Sequence, residues 1–341
     1  MLKQQKFFDL PAGGHATLYS LRNADGFGVD ITDFGASVTG VFVPDRSGMI
    51  RNVALSWGDP LDYITNSCYF GAAVGRLANR VGGGTFSLDG KTYRMALNDR
   101  NASMLHGGIG ISRRLWTLEN CSDSELLLSL DSPDGDGGFP GHLKITFFLR
   151  ISPEHRVEME FRAATDRKTV ADFTNHTYFN LNGADSGICS GHEVMIAASG
   201  RTEVDENLIP TGAVKTLAGD AFDLRKFRSF EDIWQDIPGG FDDNFILNDR
   251  PGVWVEKAAV VRAEKSGIRL TVDTDRPGIQ FYMGGGLKGE CGPCGAYRPG
   301  SGFCLETQSW PDSVNHPEFP SVVITPEQGY HSTTVWSFDI F

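Results

Sequence analysis

The chain has 341 residues, of which 40% are hydrophobic and 22% charged, and its formal net charge is −12 at pH 7. This composition is typical of a soluble globular protein, and the acidic balance argues against a nucleic-acid-binding surface, because such affinity comes from clustered Lys and Arg. No stretch approaches the roughly 18 apolar residues of a membrane span, and the first residues lack the apolar core of a signal peptide, so we expect a cytoplasmic protein without a membrane partner.

Short runs of alternating apolar and polar residues recur along the chain, from HATLYSLRN near the N-terminus to HSTTVWSF near the C-terminus. Such alternation predicts β-strands. In TFSLDGKTYRM, Asp89-Gly90 separates two alternating arms and predicts a two-residue hairpin. Helical periodicity is limited to one or two turns in FRSFEDIWQDI, and neither a repeat nor a linker divides the chain. We therefore predict an all-β fold, a large antiparallel β-sandwich in which residues 1–341 form a single domain.

Two segments in the first third of the chain carry candidate binding residues. GRLANR supplies Arg76, Asn79 and Arg80, whose guanidinium and amide groups could hold hydroxyl groups or pair with acids of the protein. In SMLHGG, His106 precedes two glycines, which allow the backbone to turn sharply or to approach a ligand closely. A histidine in this position is more often only a turn residue.

A further histidine, His176, lies in the middle of FTNHTYFNL, which alternates like a strand. Alternation places Thr174, His176, Tyr178 and Asn180 on one polar face. A strand that only spans a core has no need for such a face, because each of these groups needs a partner when buried. These residues alone do not distinguish a functional His176 from a structural, hydrogen-bonded one.

Two later segments carry carboxylates. GFDDNF places Asp242 beside Asp243, and one of the two carboxylates could accept hydrogen bonds from adjacent hydroxyl groups of a ligand. The alternative is a solvent-exposed turn, which we predict for Asp243. In GFCLETQSWPD, Glu306 projects from an otherwise apolar strand, on the same side as Cys304. If it is partly buried, its pKa would rise from about 4.3 toward neutrality and make it a better base. An exposed edge-strand glutamate is the alternative.

Three motifs resemble known sites but lack the context that those sites need. MGGGLKGE has the G-x-G-x-x-G spacing of a dinucleotide site, but no helix follows that could hold a pyrophosphate. Cys291 and Cys294 have redox or zinc spacing without a second cysteine pair or a βαβ unit, so we predict a glycine-rich loop with two thiols and expect all cysteines to be reduced. SPDGDGGFPG lacks the bidentate acid of a calcium loop and predicts a turn.

Taken together, these segments resemble the aldose 1-epimerase (galactose mutarotase) family, most specifically in NHTYFNL and LETQSWPD. The resemblance implies a single-domain β-supersandwich, interconversion of the α- and β-anomers of free aldohexoses, and neither metal nor organic cofactor. It matches Glu306 to the general base and His176 to the general acid. It also matches six positions around the bound sugar: Asn79, Arg80, His106, Tyr178, Asp242 and Gln280.

The sequence departs from the family pattern in two places. Many relatives have Asp-His-Asn where this chain has Asp242-Asp243-Asn244, and the loop around Cys291 is longer than in many of them. The first difference leaves the preferred sugar open but not the reaction, and the longer loop could reshape one rim of the cleft.

Two other functions remain as alternatives. A hexose-6-phosphate 1-epimerase would need a cationic pocket beyond Arg76 and Arg80, and the sequence shows none. A non-catalytic sugar sensor would not require the acid–base pair of His176 and Glu306. The expected partner is a small-molecule aldose, without nucleic acid or membrane, and the expected oligomeric state is a monomer or weak homodimer.

Overall fold

The computed structural model describes residues 2–341, and most of its regular structure is β-strand. The first ten strands are β1 (Lys3–Asp9), β2 (His15–Arg22), β3 (Gly28–Thr32), β4 (Ser37–Pro44), β5 (Ile50–Asn52), β6 (Ala73–Val74), β7 (Arg80–Gly82), β8 (Thr85–Leu88), β9 (Lys91–Arg94) and β10 (Ser103–Leu105). The next eleven are β11 (Thr117–Cys121), β12 (Glu125–Ser132), β13 (Leu143–Ile151), β14 (Arg156–Thr165), β15 (Thr169–Val170), β16 (Thr174–Asn175), β17 (Tyr178–Phe179), β18 (His192–Ile196), β19 (Gly200–Val204), β20 (Pro210–Thr216) and β21 (Arg228–Ser229).

One α-helix, α1 (Phe230–Asp236), follows β21. The remaining strands are β22 (Asp242–Ile246), β23 (Val255–Ala263), β24 (Ile268–Thr274), β25 (Gly278–Tyr282), β26 (Cys291–Gly292), β27 (Gly295–Ala296), β28 (Phe303–Gln308), β29 (Val323–Ile324) and β30 (Tyr330–Ile340). Short 3-10 helices span Pro60–Ile64, Ile111–Arg113 and Asp136–Gly138. None of the helices within residues 2–341 has the length and apolar character needed to cross a membrane.

Three sheets contain most of the strands. A nine-stranded sheet has the order β11-β12-β13-β14-β30-β24-β23-β18-β21, a six-stranded sheet has the order β17-β28-β25-β22-β19-β20, and β1 to β5 form a five-stranded meander. Neighbouring strands within these sheets pair antiparallel. This confirms the predicted all-β, antiparallel fold.

The hydrophobic core lies between these sheets. Along β13, every second side chain is buried, which is the pattern of a strand with one face on a core. Phe179 of the six-stranded sheet packs edge-on against Trp336 of the nine-stranded sheet, with ring centroids 4.9 Å apart. The core contacts therefore fix the position of the six-stranded sheet, whose other face carries the candidate site.

Two local predictions are confirmed. Asp89 and Gly90 both have positive φ, 51° and 75°, as the two central residues of a type I′ turn require, and they connect the paired ends of β8 and β9. Helix α1 begins after Ser229, whose side chain accepts a hydrogen bond from the backbone N–H of Asp232. Glu231 and Asp232 in its first turn also stabilise this end of the helix, because they lie near the positive end of the helix dipole.

The prediction of one continuous strand over FTNHTYFNL is wrong. The segment forms two short strands, β16 and β17, which pair with different partners, β6 and β28. The side chain of Asn175 accepts hydrogen bonds from both the backbone N–H and the hydroxyl of Thr177, and this local turn interrupts the ladder at His176. Thr174 consequently faces the core, and the amide of Asn180 donates to the carbonyl of Ser301.

The three rejected motifs form loops. No helix follows the glycines of MGGGLKGE, and the Cys291 and Cys294 region is a small hairpin of β26 and β27. SPDGDGGFPG is a tight turn that contains the short 3-10 helix Asp136–Gly138, and Asp134 accepts a hydrogen bond there from the backbone N–H of Gly141. All six cysteines are free thiols in the structure, and Cys189 and Cys304 are buried.

Candidate active site

A polar cleft of about 190 Å³ opens on the six-stranded sheet. The register of three adjacent strands builds its floor, because Gln280 of β25 lies opposite Glu306 of β28, and Asp242 of β22 lies opposite Tyr282 of β25. The lining residues are Ser67, Cys68, Tyr69, Asn79, Arg80, Leu105, His106, His176, Tyr178, Asp242, Tyr282, Gly286, Leu287 and Glu306. Seven of the eight predicted site residues therefore line this cleft, and the eighth, Gln280, is hydrogen-bonded to one of them, Asp242.

Glu306 is a buried carboxyl group rather than an exposed edge-strand residue. Its side chain is 3% exposed, and within residues 2–341 its Oε2 has no hydrogen-bond partner. Burial raises the pKa of Glu306 well above its ordinary value, the nearby charge of Asp242 raises it further, and Arg80 opposes both effects. The group is therefore a proton acceptor of increased basicity with a free oxygen.

His176 faces Glu306 across the cleft. Its Nε2 lies 3.7 Å from Oε1 of Glu306, too far for a direct hydrogen bond but close enough for both groups to contact one small molecule. Burial lowers the pKa of His176 to about 4, and a hydrogen bond to its own backbone carbonyl opposes this shift. The raised pKa of Glu306 and the lowered pKa of His176 have the same main cause, since removal from water disfavours the charged form of each group.

His106 is fixed by a reciprocal contact with Asn79. The backbone N–H of His106 donates to the carbonyl of Asn79 at 2.9 Å, and the backbone N–H of Asn79 donates to Nδ1 of His106 at 3.2 Å. Nδ1 is thus an acceptor, which leaves the proton of the neutral ring on Nε2. Burial lowers the pKa of His106 well below its ordinary value, and the nearby His176 and Arg80 add to the effect. His106 is therefore a neutral hydrogen-bond donor.

The glycines after His106 have a structural function. Gly107 has a φ of 73°, and a Cβ atom there would lie 1.9 Å from the carbonyl oxygen of Gly75. Only glycine allows this approach, which holds His106 against the segment that contains Asn79 and Arg80. The sequence predicted a sharp turn or a close approach to a ligand at this position, and in the structure Gly107 approaches the backbone of Gly75.

A chain of charged and amide groups holds Asp242 at the cleft. Gln280 Nε2 donates to Oδ1 of Asp242 at 2.7 Å, and the guanidinium of Arg80 lies 3.7 Å from Oδ2. Arg80 in turn donates through Nε to Asp99 at 2.8 Å. The sequence reasoning missed Asp99, because it lies in a loop that no pattern connects to Arg80.

Tyrosine rings form the walls around His176. The ring of Tyr178 lies 5.1 Å from the ring of His176, and the ring of Tyr69 lies 5.9 Å from it and 4.8 Å from the ring of His106. Tyr69 was also missed by the sequence reasoning, although its φ of 56° shows that the chain turns there to place the ring. These rings exclude water from the two histidines.

Arg76 belongs to the fold rather than to the cleft. It is 2% exposed, and its guanidinium donates to the hydroxyl and carbonyl of Ser132 and to the carbonyls of Pro133, Pro140 and Gly141. Of the three residues in GRLANR with candidate binding groups, only Asn79 and Arg80 therefore face the cleft.

The prediction of a solvated turn at Asp243 is wrong. Asp243 lies in β22, its side chain is 12% exposed, and its carboxylate lies 3.7 Å from Arg201, whose guanidinium packs over the ring of Phe222. Burial raises the pKa of Asp243 to about 6, with a further rise from the charge of Asp242 and an opposing effect of Arg201. Strand alternation points Asp243 away from the cleft while Asp242 faces it.

Replacing Asp243 with asparagine is expected to stabilise the protein at alkaline pH. The folded-state pKa of about 6 exceeds the ordinary value of 3.8, so the stability of the wild type falls as pH rises through this window. The variant should gain up to about 3 kcal/mol of unfolding free energy at pH 8 and little at pH 4. Urea denaturation at both pH values measures this difference, and an equal or larger gain at pH 4 would contradict the assigned shift.

Three groups of the cleft are close enough to share a cation. One ligand atom from each of His106, His176 and Glu306 lies within 4.8 Å of the others. Two imidazoles and a carboxylate form a donor set that zinc accepts. The sequence-based expectation that the protein needs no metal therefore requires an experiment.

A larger cavity of about 530 Å³ lies around Asp275 and Arg276. There, Arg276 donates to Asp275 at 3.0 Å and to the carbonyl of His331 at 3.1 Å, so these charged groups already bind one another. The polar cleft is smaller, but it contains the unpartnered carboxyl oxygen of Glu306 beside His176, which makes it the better candidate for an active site.

Comparisons with known proteins agree with this assignment. The model of the family described as aldose 1-epimerase matches residues 17–337. The chain is 41% identical to a galactose mutarotase of Rattus norvegicus over 98% of this chain and 97% of the relative, and 34% identical to an aldose 1-epimerase of Escherichia coli over 96% of both.

Solved structures share the fold. An aldose epimerase homologue from C. elegans superposes with a TM-score of 0.88 at 25% identity, covering 95% of this chain and 99% of that one. A galactose 1-epimerase from Lactobacillus acidophilus superposes with a TM-score of 0.86 at 26% identity, covering 100% and 99%. Because the family model and the relatives both span nearly the whole chain, the protein belongs to the aldose 1-epimerase family.

Proposed function

We propose that the protein interconverts the α- and β-anomers of a free aldohexose, such as galactose or glucose, by acid–base ring opening and reclosure. The observation that carries this proposal is the pairing of Glu306 and His176 in one buried cleft, with 3.7 Å between Oε1 and Nε2. Opening a cyclic hemiacetal requires a base at the C1 hydroxyl and an acid at the ring oxygen, and these two groups supply both.

The reaction can be followed as proton transfers. The carboxylate of Glu306 takes the proton of the C1 hydroxyl, the C1–O5 bond breaks, and its electron pair stays on O5, which takes the Nε2 proton of His176. The open aldehyde rotates about its C1–C2 bond and recloses on the other face, and each residue recovers its original protonation state. No covalent intermediate forms.

Burial of the pair favours the opening step. The reactive form before opening has an anionic Glu306 and a cationic His176, whereas both groups are neutral after opening; with the pKa of His176 lowered to about 4, the cationic form is the minor one at neutral pH. Removal from water disfavours the charged forms, as the raised pKa of Glu306 and the lowered pKa of His176 indicate. The cleft therefore stabilises the protonation state that accompanies the open-chain sugar.

The other lining residues hold the sugar. Asp242 and the amide of Asn79 are suited to bind hydroxyl groups, and Arg80 donates to a hydroxyl while it fixes Asp242. The neutral His106 donates from Nε2, and the ring of Tyr178 packs against the acid. Gln280 acts through Asp242, because its amide donates to that carboxylate.

Replacing Asp242 with asparagine is expected to raise KM by about 10- to 100-fold and to change kcat little, because a hydrogen bond to a charged acceptor contributes about 1.5–3 kcal/mol. Steady-state kinetics with galactose measures both constants. Asp249→Asn, at a residue whose side chain is 80% exposed, is the matched control. A large loss of kcat at unchanged KM would instead place Asp242 in the proton transfers.

Polarimetry tests the proposed function directly. Freshly dissolved α-galactose and α-glucose should approach their equilibrium rotation faster with the protein than without it, and at the same rate with or without EDTA. If no aldose exceeds its spontaneous rate, the enzyme proposal fails and a sugar-binding protein is favoured. If EDTA abolishes the rate, the three possible cation ligands of the cleft hold a required metal.

The hexose-6-phosphate alternative is less well supported. Within residues 2–341, Arg80 is the cationic side chain that lines the cleft, and its guanidinium is already engaged by Asp99 and Asp242. A phosphate would place further negative charge beside these two acids. Hexose 6-phosphates should therefore be poorer substrates than free hexoses in the same assay.

Location and assembly are proposed on the sequence alone. We expect a cytoplasmic enzyme that acts as a monomer or weak homodimer, without nucleic acid or membrane. A single domain is supported by one hydrophobic cluster whose members extend from Tyr19 to Phe338.

A further inference from the structure

Cys304 lies behind the ring of His176. It precedes Glu306 by two residues on β28, so both side chains leave the strand on the same side. Its Sγ is 3.6 Å from Nδ1 of His176, a hydrogen-bond distance for sulfur, and the thiol is completely buried. The two nitrogens of the ring therefore have different neighbours, a sulfur at Nδ1 and a carboxyl oxygen at Nε2.

We propose that Cys304 is a positioning residue for the acid: its sulfur accepts a hydrogen bond from Nδ1–H of His176, so that Nε2 is the nitrogen that exchanges the proton with the sugar. This inference rests on the proposed epimerase function and deepens it, because it assigns each ring nitrogen its part in the reaction.

The proton transfers require this arrangement. The imidazolium carries a proton on each nitrogen, and when Nε2 gives its proton to the ring oxygen, the remaining proton is on Nδ1. An acceptor at Nδ1 stabilises this neutral form, whereas the other neutral form would keep a proton on Nε2 and block the return transfer. The thiol sulfur at Nδ1 can supply that acceptor.

A thiol also suits an acid that must release its proton. Sulfur is a weak, uncharged acceptor, so it orients the ring without the strong stabilisation of the imidazolium that a carboxylate in the same place would provide. Burial raises the pKa of Cys304 well above its ordinary value, and the nearby charge of Glu306 adds to this, so the group remains a neutral thiol.

Nδ1 faces Sγ of Cys304 and the backbone carbonyl of His176 itself, a second acceptor that favours the same Nδ1–H form, while the other neighbours of the ring lie elsewhere. Glu306 faces Nε2, and the rings of His106, Tyr69 and Tyr178 contact the imidazole with centroids 5.1, 5.9 and 5.1 Å away. Arg80 and Asp242, which also line the cleft, pair with each other.

Kinetics of three variants test the role of the thiol. Cys304→Ala should lower kcat about 10-fold with KM changed less than about two-fold, a loss typical of residues that orient a reacting group. Cys304→Ser should keep kcat within about three-fold of the wild type, because a hydroxyl also accepts from Nδ1–H. Cys189→Ala, at another buried thiol whose Sγ contacts the carbonyl of Phe179, is the matched control and should behave as the wild type.

Nitrogen-15 NMR of histidine-labelled protein tests the geometry without any assay of activity. At pH 7.5, the neutral ring of His176 in the wild type should carry its proton on Nδ1, and Cys304→Ala should show a mixture of both forms. A wild-type ring protonated on Nε2, or full kcat in Cys304→Ala, overturns the proposal. If the wild type converts no aldose, the epimerase function fails, while the NMR result still decides whether the thiol fixes the ring.

Discussion

Replacing Glu306 with glutamine is expected to lower kcat by about 10²- to 10⁴-fold while KM changes little, because the amide fills the same space but cannot take the proton of the C1 hydroxyl. Polarimetric rates at saturating α-galactose measure the effect. Glu256→Gln, an exposed residue of β23, is the matched control and should keep the wild-type rate. A glutamine variant with wild-type kcat would exclude Glu306 as the base.

The same substitution should increase stability. The pKa of Glu306 is higher in the folded protein than in the unfolded chain, so its burial destabilises the fold at every pH above the unfolded-state value. Glu306→Gln should therefore have a higher Tm than the wild type at pH 8, with a difference that shrinks as pH falls toward about 4.5. A variant that loses activity and also unfolds at lower temperature at pH 8 would indicate a structural role instead.

Replacing His176 with glutamine is expected to lower kcat by a similar factor of about 10²–10⁴, since the ring oxygen would then have no acid to protonate it. KM should again change little, because Asp242, Arg80 and Asn79 still bind the hydroxyl groups. Stopped-flow or conventional polarimetry with α-galactose provides both constants. An unchanged kcat would move the role of acid to His106, the other imidazole of the cleft.

The pH dependence of stability separates the catalytic role of His176 from its effect on the stability of the fold. Its pKa falls from 6.5 to about 4 on folding, so the wild type loses stability as pH drops through this window, by about 3 kcal/mol from this group. His176→Gln should remove that part of the loss. His192, a buried histidine outside the cleft with the same shift, is the matched control: His192→Gln should flatten the stability profile similarly but retain kcat.

The sequence predicted the antiparallel β fold, and together with the family resemblance it predicted seven residues that line the cleft, but not their contacts. Strand alternation indicates which face a side chain takes, and the family resemblance paired Glu306 of β28 with His176, which lies between β16 and β17. The distance between them depends on how β17 pairs with β28, which a local pattern does not contain. Asp99 and Tyr69 were missed for the same reason, because their contacts with Arg80 and His106 join separate segments of the chain.

The two wrong local predictions have a common origin. FTNHTYFNL alternates well enough to predict a strand, yet Asn175 binds the backbone of Thr177 and breaks the ladder. Asp243 was expected to be solvent-exposed because acidic residues usually are, yet its carboxylate is largely buried and lies 3.7 Å from the guanidinium of Arg201. In both places a single side-chain interaction overrides the average behaviour of the residue type.

The position of β30 in the nine-stranded sheet has a consequence for how the protein is made. Residues 330–340 lie between β14 and β24, in the interior of the sheet, so these two strands have no common neighbour until the ribosome has synthesised residue 340. Until then, β14 and β24 each present an unpaired edge, which is a template for association with other nascent chains. Because the pairing of β30 with β14 joins residues distant in sequence, we expect it to slow the assembly of this sheet.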